Sequence, residues 1–319
     1  MSLPTGTDVQ AVDPVLTNML VGYMNADSRF IADRAFPGVP VETDSGTYYI
    51  FDKKYFFLDD AKQRAYGANF AEAGFGVSST TYTTVQYAIS QAIAREVRAN
   101  SQVPMDLEQA ALRRMSHLLL IRKERMFSSD FMAINVWATD ATGGTTSDKW
   151  STYASSDPVA DVLTGKRTIS QSTGYNPNVM IMGEIVRDKL LNHPDLLDRI
   201  KYTQTGNLNN IDAALAGIFG LDEILVGYAI YNSANEGQDA SMSAIIDDDA
   251  LLMYRSPSPG IFDASAGYTF FWQPGGGLGS ALDMFEDKHK RADVMQSQLQ
   301  IDQKAVATDC GYFFSDYVD

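Results

Sequence analysis

Residues 176–203 read NPNVMIMGEIVRDKLLNHPDLLDRIKYT. Asn176-Pro177 opens a turn, residues 179–182 are an unbroken apolar run of strand length, and Gly183 closes it. Residues 184–192 carry apolar side chains at helical spacing and stop before Pro194, which has no N–H to continue the ladder. A strand running straight into a helix indicates α/β organisation. Downstream, Ile211, Leu215, Ile218 and Phe219 form a helical face ended by Gly220. Residues 223–228 then make a strand, and residues 244–246, 251–254 and 268–272 make three more.

Upstream, Pro104 opens the strongest helical signal in the chain, with Asp106 and Glu108 in the first turn where negative charge suits the helix dipole. Leu107, Ala111, Met115, Leu118 and Met126 recur mainly at three- and four-residue steps, and no Pro or Gly occurs from 105 to 142. The spacing predicts a helix to about residue 135, roughly 50 Å long at 1.5 Å per residue, the proportions of a strut.

Before that helix, residues 47–57 (TYYIFDKKYFF) and 80–89 are rich in aromatic and β-branched side chains and predict two strands. About twenty residues separate them, including Gly67, Gly74 and Gly76, where a hairpin uses about two to five. Such a loop is either flexible or held by a partner. Residues 1–43 read as an arm with one short helix. Its apolar cluster (Val15, Leu16, Met19, Leu20, Val21) is followed by Phe36-Pro37-Gly38-Val39-Pro40, which forbids a continuous helix. Residues 139–157 are expected as a Gly/Ser/Thr-rich loop, and Asp157-Pro158 opens a helix with Val159, Val162 and Leu163 on its inner face. Residues 293–306 are polar and extended in character, and residues 311–318 mix aromatics with acids.

The chain has 319 residues, 45% of them hydrophobic, enough for a substantial core. Its 25 basic and 40 acidic residues give a net charge of −15, which opposes general affinity for nucleic-acid phosphates and argues against a nucleic-acid reader. Cys310 is the one cysteine, so no intrachain disulfide or cysteine-rich metal site can form, and it is expected in the core. The start carries no leader-like apolar run and no stretch of about 18 apolar residues occurs, so neither export nor membrane insertion is expected. Beginning at Met1, the chain is also expected to lack a removable propeptide.

No constellation points to catalysis. His117, His193 and His289 stand far apart at no metal-ligand spacing, and no Gly-x-Ser-x-Gly elbow occurs. The glycine run at Gly275, Gly276, Gly277 and Gly279 lacks the Lys-Ser/Thr of a phosphate loop. Asp247, Asp248 and Asp249 lack the alternation of a calcium loop and read as a solvated turn between strands. No catalytic, cofactor or metal residue is assigned.

The order of elements resembles the major capsid proteins of tailed bacteriophages. NPN-VMIMG-EIVRDKLLNHPDLLDRIKYT, LAGIFGLDEILVGYAIYNSA, DDDALLMYR and GYTFFW follow the order of that family's axial A domain. FPGVPVETDSGTYYIF with TYTTVQYAI looks like its extended E-loop, and DVMQSQLQIDQKAVATDCGYFF like its closing strand and tail. The resemblance covers nearly the whole chain. It implies an α+β, Hong Kong phage-type capsid fold with an N-terminal arm (1–43), E-loop (44–86), peripheral P domain with spine helix (87–175), A domain (176–290), and closing strand and tail (291–319).

The function implied is that of a virion shell subunit, assembled in the host cytoplasm into pentamers and hexamers around double-stranded DNA, without enzymatic activity, cofactor or membrane. Expected partners are other copies, a separate scaffolding protein and a portal, with decoration proteins a further candidate. Lys53, Lys62, Arg64 and Glu72 are the candidate E-loop contacts between subunits. The alternatives are an encapsulin-like compartment, a hydrolase with an unrecognised triad, and a β-rich glycan-binding module using Trp137, Trp150 or Trp272. Each of these tryptophans is expected in a core or interface.

Overall fold

A computed structural model describes residues 24–51, 53–67, 69–70, 72–74, 76–100, 107–203, 211–258, 264–273 and 281–319. In chain order, the short helix α1 (Ala32–Ala35) leads into β1 (Gly38–Val41), and β2 (Ser45–Phe51) is followed by one helical turn, α2 (Lys53–Phe56). β3 (Val77–Thr83) returns antiparallel to β2, pairing Ser45 with Thr83 and Phe51 with Val77. Then come β4 (Val85–Ala94), α3 (Arg95–Asn100), the long α4 (Leu107–Phe131), β5 (Thr139–Thr142) and α5 (Pro158–Thr173). Next are β6 (Val179–Gly183), α6 (Glu184–Leu191), α7 (Pro194–Thr203), α8 (Ile211–Phe219) and β7 (Glu223–Gly227). β8 (Ile230–Asn232), β9 (Met242–Ala244), β10 (Ala250–Met253) and β11 (Gly267–Trp272) follow, then β12 (Ala281–Asp287), β13 (Ala292–Ala305) and β14 (Gly311–Ser315).

The apolar run of β6 is explained by its place in the sheet β5-β14-β10-β6-β7, where it lies parallel to β7 and antiparallel to β10. Successive side chains point to opposite faces, and both faces are covered. Met180 and Met182 join Val162, Val186, Leu190, Phe219 and Phe314 under α5 to α8. Val179 and Ile181 join Phe36, Phe127, Phe131 and Phe313 under α1 and the end of α4. The second sheet orders β1-β11-β13-β12, with β4 also pairing β13 over ten residues.

α4 connects the two sheets through the drift of its buried face. Ala111, Met115, Leu119, Lys123, Phe127 and Phe131 are buried at four-residue steps. Since a turn takes 3.6 residues, each step advances the face by about 40°, roughly 200° in all. Ala111, Met115 and Leu119 therefore meet β4 and β13, through Ile93, Met295, Leu299 and Ile301, while Phe127 and Phe131 meet the other sheet.

Several expectations are corrected. α4 ends at Phe131, about 37 Å for its 25 residues, because the Trp137 indole N–H donates to the Phe131 carbonyl at 2.8 Å and closes the last turn. The strand expected over 47–57 ends at Phe51, and residues 53–56 are helical. The run 80–89 belongs to two strands that part at Thr84, whose N–H and hydroxyl both donate to the Asp44 carbonyl at the ribbon's root. Residues 139–142, expected as loop, form β5, parallel to β14. Leu163 is 49% exposed, and Gly165 and Ile169 take its place on the inner face of α5. The polar segment 293–306, read as extended, is a strand as expected, the 14-residue β13, paired on both sides. Cys310 is buried as expected. The cluster Val15 to Val21, Pro104 and Asp106, and the glycine run 275–279 lie outside the described residues.

Candidate inter-subunit interface

The β2–β3 ribbon is rooted firmly. The Tyr82 and Tyr48 rings stack on Phe270 of β11 at 4.8 and 5.4 Å, and the Thr83 N–H donates to the Asp302 carboxylate at 2.9 Å. Gly46 is required there, because a Cβ would stand 2.5 Å from the Tyr82 hydroxyl. Farther out the ribbon and its connection expose Tyr49, Phe56, Phe57, Leu58, Tyr66, Phe70 and Val77, with Tyr66 wholly solvent-exposed and Phe70 78% exposed. Apolar side chains gathered on one projection are unusual on a monomer surface and typical of a contact surface.

The four charged candidates lie along this projection. Lys53 forms an ion pair with Asp309 of its own chain at 2.5 Å, both partly exposed. The Arg64 guanidinium sits over the Phe70 ring, 4.2 Å from its centroid, so the two make one amphipathic unit. Lys62 and Glu72 are exposed. The aromatic side chains are the stronger feature, and sequence reasoning passed over them in favour of the charges. The available signal was large aromatics between glycines in a stretch too polar to form a core.

A second site ties α1 to α4. The buried Glu124 carboxylate accepts from the N–H of Ile31 at 3.1 Å and of Ala32 at 2.9 Å, at the start of α1. Burial pushes its pKa up to about 7, against the opposing pull of those N–H donors, with Asp33 adding to the rise and Lys123 opposing it. The buried Lys123 ammonium pairs with Asp33, and the Arg34 guanidinium with Glu223 at the start of β7. Arg255 donates to the same Glu223 at 3.0 Å and to the Arg34 carbonyl. Residues 31–34 thus join α4 to the far sheet.

Ser156, His193 and Asp195 superficially suggest a catalytic triad, with Ser156 Oγ 3.1 Å from His193 Nε2 and His193 Nδ1 3.9 Å from Asp195. Ser156 also donates to the Thr152 carbonyl at 2.9 Å, a backbone partner that engages its hydroxyl. Both side chains are buried. Trp137 and Trp150 are buried too, and Trp272 donates to the Glu42 carbonyl at 2.9 Å, so the three do not line an exposed groove. Among the described residues no group of three or more metal-ligating side chains occurs. The Asp247–Asp249 turn lies between β9 and β10, as expected, and Asp249 accepts from the Asp316 N–H at 3.0 Å.

Comparison with known proteins agrees with this architecture. Residues 138–266 match the family model described as phage major capsid protein E. The major capsid protein of Burkholderia phage BcepMu is 30% identical over 223 residues, covering 70% of this chain and 71% of that protein. The crystal structure of a phage-related protein from Bordetella bronchiseptica RB50 superposes with a TM-score of 0.69 at 24% identity, covering 92% of this chain and 94% of that one. The capsid structure of cyanophage P-SCSP1u superposes with a TM-score of 0.64 at 11% identity, covering 98% and 95%. The two structures establish the Hong Kong phage-type fold, and the sequence relationship goes further: this chain belongs to the major capsid protein family of tailed bacteriophages.

Proposed function

We propose that the chain assembles into the pentamers and hexamers of an icosahedral phage head enclosing double-stranded DNA. Assembly takes place in the host cytoplasm around a separate scaffolding protein, with a portal at one vertex and decoration proteins as candidate outer ligands. The role is structural and not enzymatic. The observation that carries this reading is the ribbon, whose root is stacked on Phe270 while its outer part offers Phe56, Phe57, Tyr66 and Phe70 to solvent. Aromatic anchors ringed by polar groups are what a stable contact needs, and Lys53, Lys62, Arg64 and Glu72 supply the ring.

In this reading residues 44–86 are the E-loop laid across a neighbour and residues 1–43 an arm. Residues 87–175 form the P domain with α4 as spine, 176–290 the A domain at the capsomer axis, and 291–319 the closing strand and tail. Many modest contacts add up to a closed particle through symmetry and multivalency. The test is sedimentation and negative-stain microscopy of the chain expressed with its neighbouring genes, beside the double variant Tyr66→Ala/Phe70→Ala. Closed shells or capsomer sheets from the parent, lost in a folded double variant, support the reading. A parent that stays monomeric under all conditions overturns it.

A further inference from the structure

We propose that the solvent face of α4 is the surface on which the shell wall meets the phosphate backbone of the enclosed duplex. The proposal rests on the shell reading above and adds the surface that contacts the cargo. The net charge of −15 makes the chain as a whole a poor partner for DNA, but the charge is unevenly placed. α4 exposes Arg113, Arg114, Arg122 and Arg125. Of its three acids, Glu124 is buried against α1, Glu108 is paired with Arg98, and Asp130, near the end, accepts from the Ser129 hydroxyl at 2.8 Å. At about 0.1 M salt, charges more than roughly 10 Å away are largely screened, so a duplex on this helix meets the arginines and, of the acids beside them, Asp33, which Lys123 neutralises, and Asp27 near His117.

The arginines are also poised. None of the four forms an ion pair with another described residue. The Arg122 guanidinium lies 5.0 Å from the Tyr87 ring centroid and that of Arg125 4.3 Å from Tyr231. Stacking on a ring holds the guanidinium plane while leaving its N–H edge free for an oxygen ligand. Since a turn takes 3.6 residues, Arg114, Arg122 and Arg125 fall within about 80° of one another around the helix, with Arg113 about 100° beyond Arg114, and from Arg114 to Arg125 the helix rises about 16 Å, over which duplex DNA carries roughly ten phosphates. Leu118 is the one exposed large apolar side chain on the helix, and Ser116 is exposed beside it. A protein partner would call for an apolar centre to the contact, whereas phosphates call for donors and positive charge.

The test is fluorescence anisotropy of the unassembled full-length chain with a labelled mixed-sequence duplex of about 60 base pairs, titrated between 50 and 200 mM salt. The parent is expected to bind with a log–log salt slope of roughly 3 to 4 in magnitude, at about 0.9 per phosphate contact. Arg→Gln at the four positions should weaken binding at 50 mM at least tenfold and bring the slope towards zero, while Arg→Lys should keep the slope, separating charge from packing. Undiminished binding by the Gln variant, or none by the parent at 50 mM, overturns the proposal. Displacement of the duplex by poly-glutamate at equal charge also overturns it and assigns the face to an acidic protein. Shell formation is scored separately by sedimentation, so a parent that assembles yet ignores the duplex refutes this proposal and leaves the shell reading intact.

Discussion

Replacing Glu124 with Gln tests the junction between α4 and α1. The burial that lifts its pKa from 4.5 to about 7 outweighs the help it receives from the Ala32 and Ile31 N–H groups and Lys123. In the unfolded chain the group titrates near 4.5, so between the two values the folded state holds the extra proton. The stability this contributes is fully present below 4.5 and is lost as pH rises through 7. At about 1.4 kcal/mol per pH unit the gap is worth on the order of 3 kcal/mol. Gln is neutral and keeps a carbonyl oxygen for the Ala32 N–H, so Glu124→Gln should lack this decline. Urea unfolding of the unassembled chain at pH 4.5, 5.5, 6.5 and 7.5 should show variant and parent stabilities moving apart by about 3 kcal/mol, with the variant gaining at the alkaline end. Parallel curves, within about 0.5 kcal/mol throughout, would show that the carboxylate is solvated and that this account of the junction is wrong.

Phe36 is fully buried with its ring 4.7 Å from Phe131 and 5.1 Å from Phe127, so Phe36→Ala should lose about 3–5 kcal/mol, read as a lower urea midpoint. Burial, reinforced by Asp309, pushes the Cys310 thiol up to about 12; a thiol reagent at pH 8 should therefore leave the native chain untouched and label one site per chain in denaturant. Rapid labelling of native protein would contradict that packing. Lys53→Ala removes an ion pair exposed at both ends and should change stability by less than about 1 kcal/mol, so any assembly defect in it would report a contact between subunits.

The α/β half was legible because its signals are local. The strand of β6, the helix after it, the turn at Gly220 with φ of +62° and the strand of β7 are each written within a few residues. What escaped depends on distant partners. β5 buries only Ala141 among Thr139, Asp140, Ala141 and Thr142, and its strand character comes from pairing with β14 late in the chain. β13 was read as extended, but its buried side was not legible, because Met295, Leu299 and Ile301 lie between glutamines that face outward or sideways. In α4 the drift of the buried face admits Lys123 and Glu124 to the interior, where α1 supplies their partners. The site was half legible: the ribbon and its oversized connection could be read, but charged residues were favoured over the aromatics that dominate its exposed surface.

The place of β14 has a consequence for how the protein is made. This strand stands between β5 and β10, the Trp150 N–H donates to the Tyr317 carbonyl at 2.7 Å, and Tyr317 and Val318 are buried in the same core. During synthesis β5, β6, β7 and β10 leave the ribosome with a gap in their sheet that only residues 311–318 can fill. Domains whose strands are contiguous can fold as they emerge. Here the pairing of β5 with the rest of the sheet has to wait for residues 311–318, so the sheet closes out of chain order.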